Sequence, residues 1–102
     1  MSAITVSASN FDNLVLNSSK PVLLDFWANR CPSCRVISPV IDEIATEHSE
    51  IVVGKINVEE EQELATKFRV MSIPTLFVLK EGKIVNRSVG AISKSQILNM
   101  LN

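Results

Sequence analysis

Cys31 and Cys34 are the two cysteines of the chain, and they stand three positions apart. Residues at i and i+3 of a helix lie one turn apart on the same face, so such a pair can close into a small disulfide ring. Val22-Leu23-Leu24-Asp25-Phe26-Trp27 precedes them as a nearly unbroken apolar run, which is how a strand buried on both faces reads, with one aspartate inside it. A polar turn follows, so Cys31 falls at a helix start. There it meets unpaired backbone N–H groups and the positive end of the dipole, surroundings that lower a thiol pKa from about 8.5 into the range of about 3.5–7.5. Arg30 and Arg35 add positive charge, Pro32 suits the first helical turn, and Ser33 can donate a hydroxyl to a sulfur. This chemistry makes Cys31 an exposed attacking nucleophile and Cys34, deeper in the helix, the resolving thiol. A structural zinc site needs about four ligands. Besides the two cysteines the chain has one histidine, His48, at the far end of the same helix, so no metal is expected.

The elements that must position this pair can be read from periodicity. Ile4 to Val6 alternates like a short strand, and Ser9 is a candidate N-cap for a helix burying Phe11, Leu14 and Val15. After the buried strand, a helix is expected from Pro32 to His48. Its core-facing stripe would be Val36, Ile37, Val40, Ile41, Ile44 and Ala45, with a kink at Pro39. Ile51 to Asn57 reads as a strand. Glu59 to Phe68 reads as a helix with four acids in its first turns, a favourable placement against the dipole. Thr75 to Lys80 and Lys83 to Val89 form a hairpin about Glu81-Gly82. Ser93-Lys94-Ser95-Gln96 is a capping box for a last helix that turns Ile97, Leu98 and Leu101 inward. The order implies an α/β domain: parallel strands with helical crossovers, then an antiparallel hairpin, in a mixed five-stranded sheet covered on both faces.

Composition narrows the function classes. The 102 residues suffice for one small domain, 1–102, with a single core. A formal net charge of −1 and scattered basic residues give no electrostatic footprint for nucleic acid. Apolar stretches fall short of a membrane span, and the first residues lack the pattern of a signal peptide. The expected location is the cytoplasm, where paired cysteines are catalytic or metal-binding more often than structural. Nothing in the pattern demands more than a monomer.

Leu24-Asp25-Phe26-Trp27-Ala28 before the Cys-x-x-Cys, Lys55-Ile56-Asn57-Val58, Ile73-Pro74-Thr75 and Val89-Gly90-Ala91 together resemble the thioredoxin family, from about Ile4 to Leu101. The resemblance implies a thioredoxin fold with four helices around the sheet. It also implies a protein-disulfide reductase working through a Cys31–Cys34 couple on protein substrates. No metal or organic cofactor is needed within the chain, and electrons come from a separate reductase. Asp25 matches the buried aspartate that assists proton transfer at the resolving thiol. A carboxyl in an apolar strand has its pKa raised, in keeping with that role. Lys55 matches the lysine beside it. Pro74 matches a cis-proline facing the disulfide, with the Ile73 backbone free to pair with substrate. Trp27, Ile73, Pro74, Gly90 and Ala91 would form the apolar docking surface, with Arg30 beside it.

Three positions depart from the family. Arg30 replaces the usual tryptophan, Pro32-Ser33 the usual Gly-Pro, and Ser72 a common glycine. An arginine beside the nucleophile favours thiolate and so a more oxidising couple, and the missing tryptophan alters the docking surface. Two other readings compete. One is a glutathione-dependent, glutaredoxin-like enzyme, suggested by proline directly after the first cysteine and opposed by Asp25 and the strand pattern. The other is a non-enzymatic binding module on the same fold.

Overall fold

A computed structural model of the protein describes residues 3–102. Five strands form one sheet: β1 (Ile4–Thr5), β2 (Val22–Trp27), β3 (Val52–Asn57), β4 (Thr75–Lys80) and β5 (Lys83–Val89), in the spatial order β1-β3-β2-β4-β5. β1, β3 and β2 run parallel, whereas β4 is antiparallel to β2 and β5 to β4. The helices are a short π-helical segment, Asp12–Leu16, then α1 (Pro32–Glu47), α2 (Gln62–Lys67) and α3 (Lys94–Met100).

Side chains alternate across a strand, and β2 divides its residues between two cores accordingly. Val22, Leu24 and Phe26 pack with Phe11, Val15, Leu64, Phe68 and Phe77 on one face. Four phenylalanine rings meet there, with Phe26–Phe77 centroids 5.5 Å apart and near perpendicular, the edge-to-face geometry aromatic pairs prefer. Leu23 packs on the other face with Ile37, Ile41 and Ile44 of α1 and with Ile97 and Met100 of α3. The same alternation puts Asp25 and Trp27 on the α1 side. The apolar strand thus carries its one carboxyl directly under the helix that bears the cysteines.

Several sequence expectations need correction. Ser9 does not cap a helix: its hydroxyl meets that of Ser7, and the π-helical segment begins after Phe11 with no side-chain cap. Asn10 takes the local polar role instead, accepting from the Ser7 N–H and donating to the Thr5 carbonyl. Val36 leaves the core-facing stripe and is 70% exposed, because the buried line of α1 runs through Cys34, Ile37, Ile41 and Ile44. α2 starts at Gln62 rather than Glu59. The Asn57 carbonyl and side chain capture the N–H groups of Glu59, Glu60 and Glu61 in a turn, leaving Glu63 as the one acid in the first helical turn. In α3 Ile97 is buried and Leu98 and Leu101 pack half-buried against the same core as expected, but Met100, not expected there, is the second buried residue.

α1 runs unbroken through Pro39, and Arg35, whose carbonyl loses its helical donor there, is exposed, so water can satisfy it. The hairpin and the last capping box follow the sequence closely. Glu81 and Gly82 both have positive φ, the conformation a two-residue hairpin turn requires. Ser93 and Gln96 form both arms of the capping box.

Candidate active site

The site grows from the junction of β2 and α1. Cys31 is the N-cap of α1, in an extended conformation, and Pro32 occupies the first helical turn. The cap is the sulfur itself, since Cys31 Sγ accepts the Cys34 N–H at 3.1 Å. The Ser33 hydroxyl lies 3.5 Å from the same sulfur. Donors at a helix N-terminus stabilise negative charge, so this geometry favours a thiolate at position 31 once the pair is reduced. Cys31 and Cys34 are joined as a disulfide with Cα atoms 5.2 Å apart. Cys31 is not the exposed residue its place in the chain suggests. It is 6% exposed against 3% for Cys34, because the sulfur folds back over the helix end to cap it.

The loop ahead of the cysteines is fastened at both sides. The Asn29 N–H donates to Glu59 Oε1 at 3.1 Å, and the Arg35 guanidinium donates to the Asn29 carbonyl at 3.1 Å. Glu59 therefore serves the cysteine loop rather than the α2 dipole. Arg30 is exposed beside Cys31.

Beneath the helix lies a cleft of about 170 Å³ lined by Asp25, Trp27, Cys34, Arg35 and Ser38 among others. Asp25 is 1% exposed, and its Oδ1 is buried without a hydrogen-bond partner. Burial disfavours the charged carboxylate and raises the Asp25 pKa from 3.8 to about 7; Lys55 pulls it down and Asp42 pushes it up. Lys55 sits directly opposite Asp25 in the β2–β3 register. Its ammonium nevertheless donates to Ser38 Oγ at 2.6 Å and pairs with Asp42 Oδ1 at 3.1 Å, both on α1.

The remaining predicted residues gather at the same end of the sheet. Phe26 pairs with Thr75 and Thr75 with Val89, so Trp27, Pro74 and Gly90 continue three neighbouring strands at one edge. The Ile73–Pro74 peptide is cis, and the Pro74 carbonyl accepts the Gly90 N–H at 2.8 Å. Gly90 has φ +92°, a conformation side chains rarely adopt. Pro74 is buried, Ile73, Trp27 and Gly90 are half-buried, and Ala91 is exposed. His48 caps the other end of α1 and pairs with Glu50. Among the described residues no group of three or more His, Cys, Asp or Glu could hold a metal ion.

Sequence reasoning overlooked Glu59, Ser38 and Asp42. Ser38 and Asp42 carried a readable signal, because they follow Cys34 at intervals of four and so continue its helical face.

The thioredoxin family model matches residues 2–102. The chain belongs to the thioredoxin family. It is 42% identical over 98 residues to a thioredoxin of Haemophilus influenzae, covering 95% of this chain and 92% of the relative. It is 45% identical over 100 residues to a thioredoxin of Mycobacterium bovis, covering 97% and 86%. A thioredoxin of Pyropia yezoensis is 44% identical over 103 residues, covering 100% and 96%. With a Cys-x-x-Cys pair at disulfide distance, family membership makes this chain a thiol–disulfide oxidoreductase, a reductase of protein disulfides. Among the described residues no helix is long and apolar enough to cross a membrane.

Proposed function

We propose that Cys31 is the attacking thiolate, Cys34 the resolving thiol and Asp25 the group that takes the Cys34 proton. In the reduced protein the Cys31 thiolate attacks one sulfur of a substrate disulfide, and the other sulfur leaves as a thiolate. Cys34 then loses its proton to the Asp25 carboxylate, and its electron pair forms a bond to Cys31 Sγ. The Cys31–substrate bond breaks, and the departing substrate sulfur takes a proton. Substrate gains two electrons, and the enzyme is left as the disulfide seen here.

The observation that carries this reading is the shared cleft of Cys34 and Asp25 beneath a sulfur-capped helix end. A carboxyl with its pKa near 7 both accepts and returns a proton at neutral pH. The cleft is roomy enough for water to bridge the two groups, since one water needs only about 10–15 Å³ of such space. Lys55 tempers the Asp25 carboxyl through its positive charge.

Substrate docks over Trp27, Arg30, Ile73, Pro74, Gly90 and Ala91, with the Ile73 backbone pairing to the bound chain. The protein works as one domain over residues 1–102 and as a monomer, in the cytoplasm. A separate reductase, of the thioredoxin-reductase kind, returns the Cys31–Cys34 disulfide to the dithiol. Turnover of a protein disulfide with dithiothreitol as electron donor tests the roles. Cys31→Ser should abolish turnover, and Cys34→Ser should trap a mixed disulfide. Equal turnover by Cys31→Ser and the parent would overturn the assignment.

A further inference from the structure

Lys55 reaches from β3 to two residues one helical turn apart on α1. An ammonium only donates, so at 2.6 Å Ser38 Oγ is the acceptor and the serine keeps its own proton to donate elsewhere. Ser38 is half-buried and lines the cleft that Cys34 and Asp25 share. Asp42 lies a turn further from Cys34. Its side chain is 40% exposed against 18% for Lys55, and its Oδ1 also accepts the Ala3 N–H at 3.0 Å. Burial raises the Asp42 carboxyl, but the Ala3 N–H and the Lys55 ammonium outweigh it and hold the pKa below the ordinary value. Asp42 is therefore a firm anion on the solvent side of Lys55, and Ser38 a neutral acceptor on the cleft side.

We propose that Ser38 and Asp42 are opposed positioning residues for the Lys55 ammonium. Ser38 draws it toward the Cys34–Asp25 cleft, Asp42 draws it toward solvent, and their balance sets the pH at which Cys34 attacks. This rests on Asp25 as the acceptor of the Cys34 proton. The charged groups about Asp25 are few. Lys55 faces it from β3 and Asp42 acts on it from α1. Arg35 also lines the cleft from α1, but its guanidinium turns to the Asn29 carbonyl. On β4 the residue in register is the apolar Leu76. With Ser38 removed, the ammonium stays with Asp42, farther from Asp25. The carboxylate then loses part of the attraction of that ammonium. With Asp42 neutralised, the ammonium relaxes inward and a repelling charge disappears.

The test mixes reduced protein with excess dithiobis-nitrobenzoate, an aromatic disulfide that releases a coloured thiolate. The first release reports attack by Cys31. The second, independent of reagent concentration, reports attack by Cys34 as its proton passes to Asp25. In the second release, Ser38→Ala should move the acid limb of the pH profile upward and Asp42→Asn should move it downward. Each shift should be roughly half a unit, a fraction of the 1–3 units an adjacent opposite charge is worth. Ser38→Thr, which keeps the hydroxyl, should restore the parent profile, and Asp42→Asn keeps an oxygen for the Ala3 N–H. Asp25→Asn should remove the limb. Shifts of the same sign, or no shifts, with a limb that still vanishes in Asp25→Asn would overturn this proposal and leave the Asp25 reading standing. A limb that persists in Asp25→Asn would overturn both. Should Ser38→Ala fail to fold, the sign of the Asp42→Asn shift decides alone.

Discussion

Asp25 and Lys55 stand directly opposite one another on adjacent strands, yet the Lys55 ammonium bonds to Ser38 and Asp42 on α1. Asp25 Oδ1 is left buried and unpartnered. A carboxylate bonded by lysine would be a fixed anion with a low pKa. One buried from water, with the lysine beside it bonded elsewhere, sits near 7. The sheet supplies the proximity, and the helix withholds the bond.

Stability should record that strain. The folded pKa of Asp25 lies above its unfolded value, so the folded state holds the proton more tightly. Its contribution is fully favourable below pH 3.8 and is lost as pH rises through about 7. In denaturant titrations of the oxidised protein, Asp25→Asn should gain stability over the parent across that window. The gain should reach on the order of 4 kcal/mol at pH 8, from about three units at 1.36 kcal/mol each. A difference independent of pH would contradict this.

Glu59 should act on the cysteine loop. Glu59→Ala removes the acceptor of the Asn29 N–H. That amide should exchange hydrogen faster by roughly tenfold, the equivalent of about 1.4 kcal/mol, within the usual net range for a single hydrogen bond. Unchanged protection at Asn29 would mean that the Arg35 contact alone fixes the loop.

Two residues of α1 should respond very differently to truncation. Ile41→Ala opens a cavity in the core between α1 and the sheet and should cost about 2–5 kcal/mol. Val36→Ala, on the exposed side of the same helix, should change stability by no more than about 0.5 kcal/mol. Comparable costs would place the buried face of α1 elsewhere.

Arg30 should raise the reduction potential, because a cation beside Cys31 stabilises the reduced thiolate. The couple should lie above the roughly −270 mV of an ordinary thioredoxin. Removing this exposed charge in Arg30→Ala should lower it by about 10–20 mV, as befits a solvent-screened interaction. A glutathione-buffer titration reads both values, and an equal or more negative parent potential would remove the argument.

What the sequence discloses depends on how local its physics is. The β2–α1 junction is legible because a doubly buried strand, a proline in the first turn and two cysteines at i and i+3 are signals within one short stretch. The hairpin and the Ser93 capping box are equally local. Val36 was hidden because helical periodicity marks an apolar arc without fixing its edges, and β-strand neighbours decide which side is covered. Ser9 caps no helix, and among the short polar side chains there Asn10 is the one that bonds to backbone, at Ser7 and Thr5 ahead of the segment. Glu59 reads as a helix-start acid until Asn57 closes a turn and turns it toward Asn29. The spacing of Cys34, Ser38 and Asp42 puts the last two on the face of the resolving cysteine, but their contact with Lys55 joins a helix to a strand 17 residues away in sequence, and that partner is not written in the helix.

The most direct test of the account is the burst of mixed disulfide formed when reduced protein meets a protein disulfide, compared among the parent, Cys31→Ser and Cys34→Ser. The parent should turn over with dithiothreitol, Cys34→Ser should accumulate one substrate per chain through Cys31, and Cys31→Ser should form no adduct. An adduct trapped through Cys34 in Cys31→Ser, with turnover retained, would contradict the assignment of the helix-capping sulfur as the nucleophile.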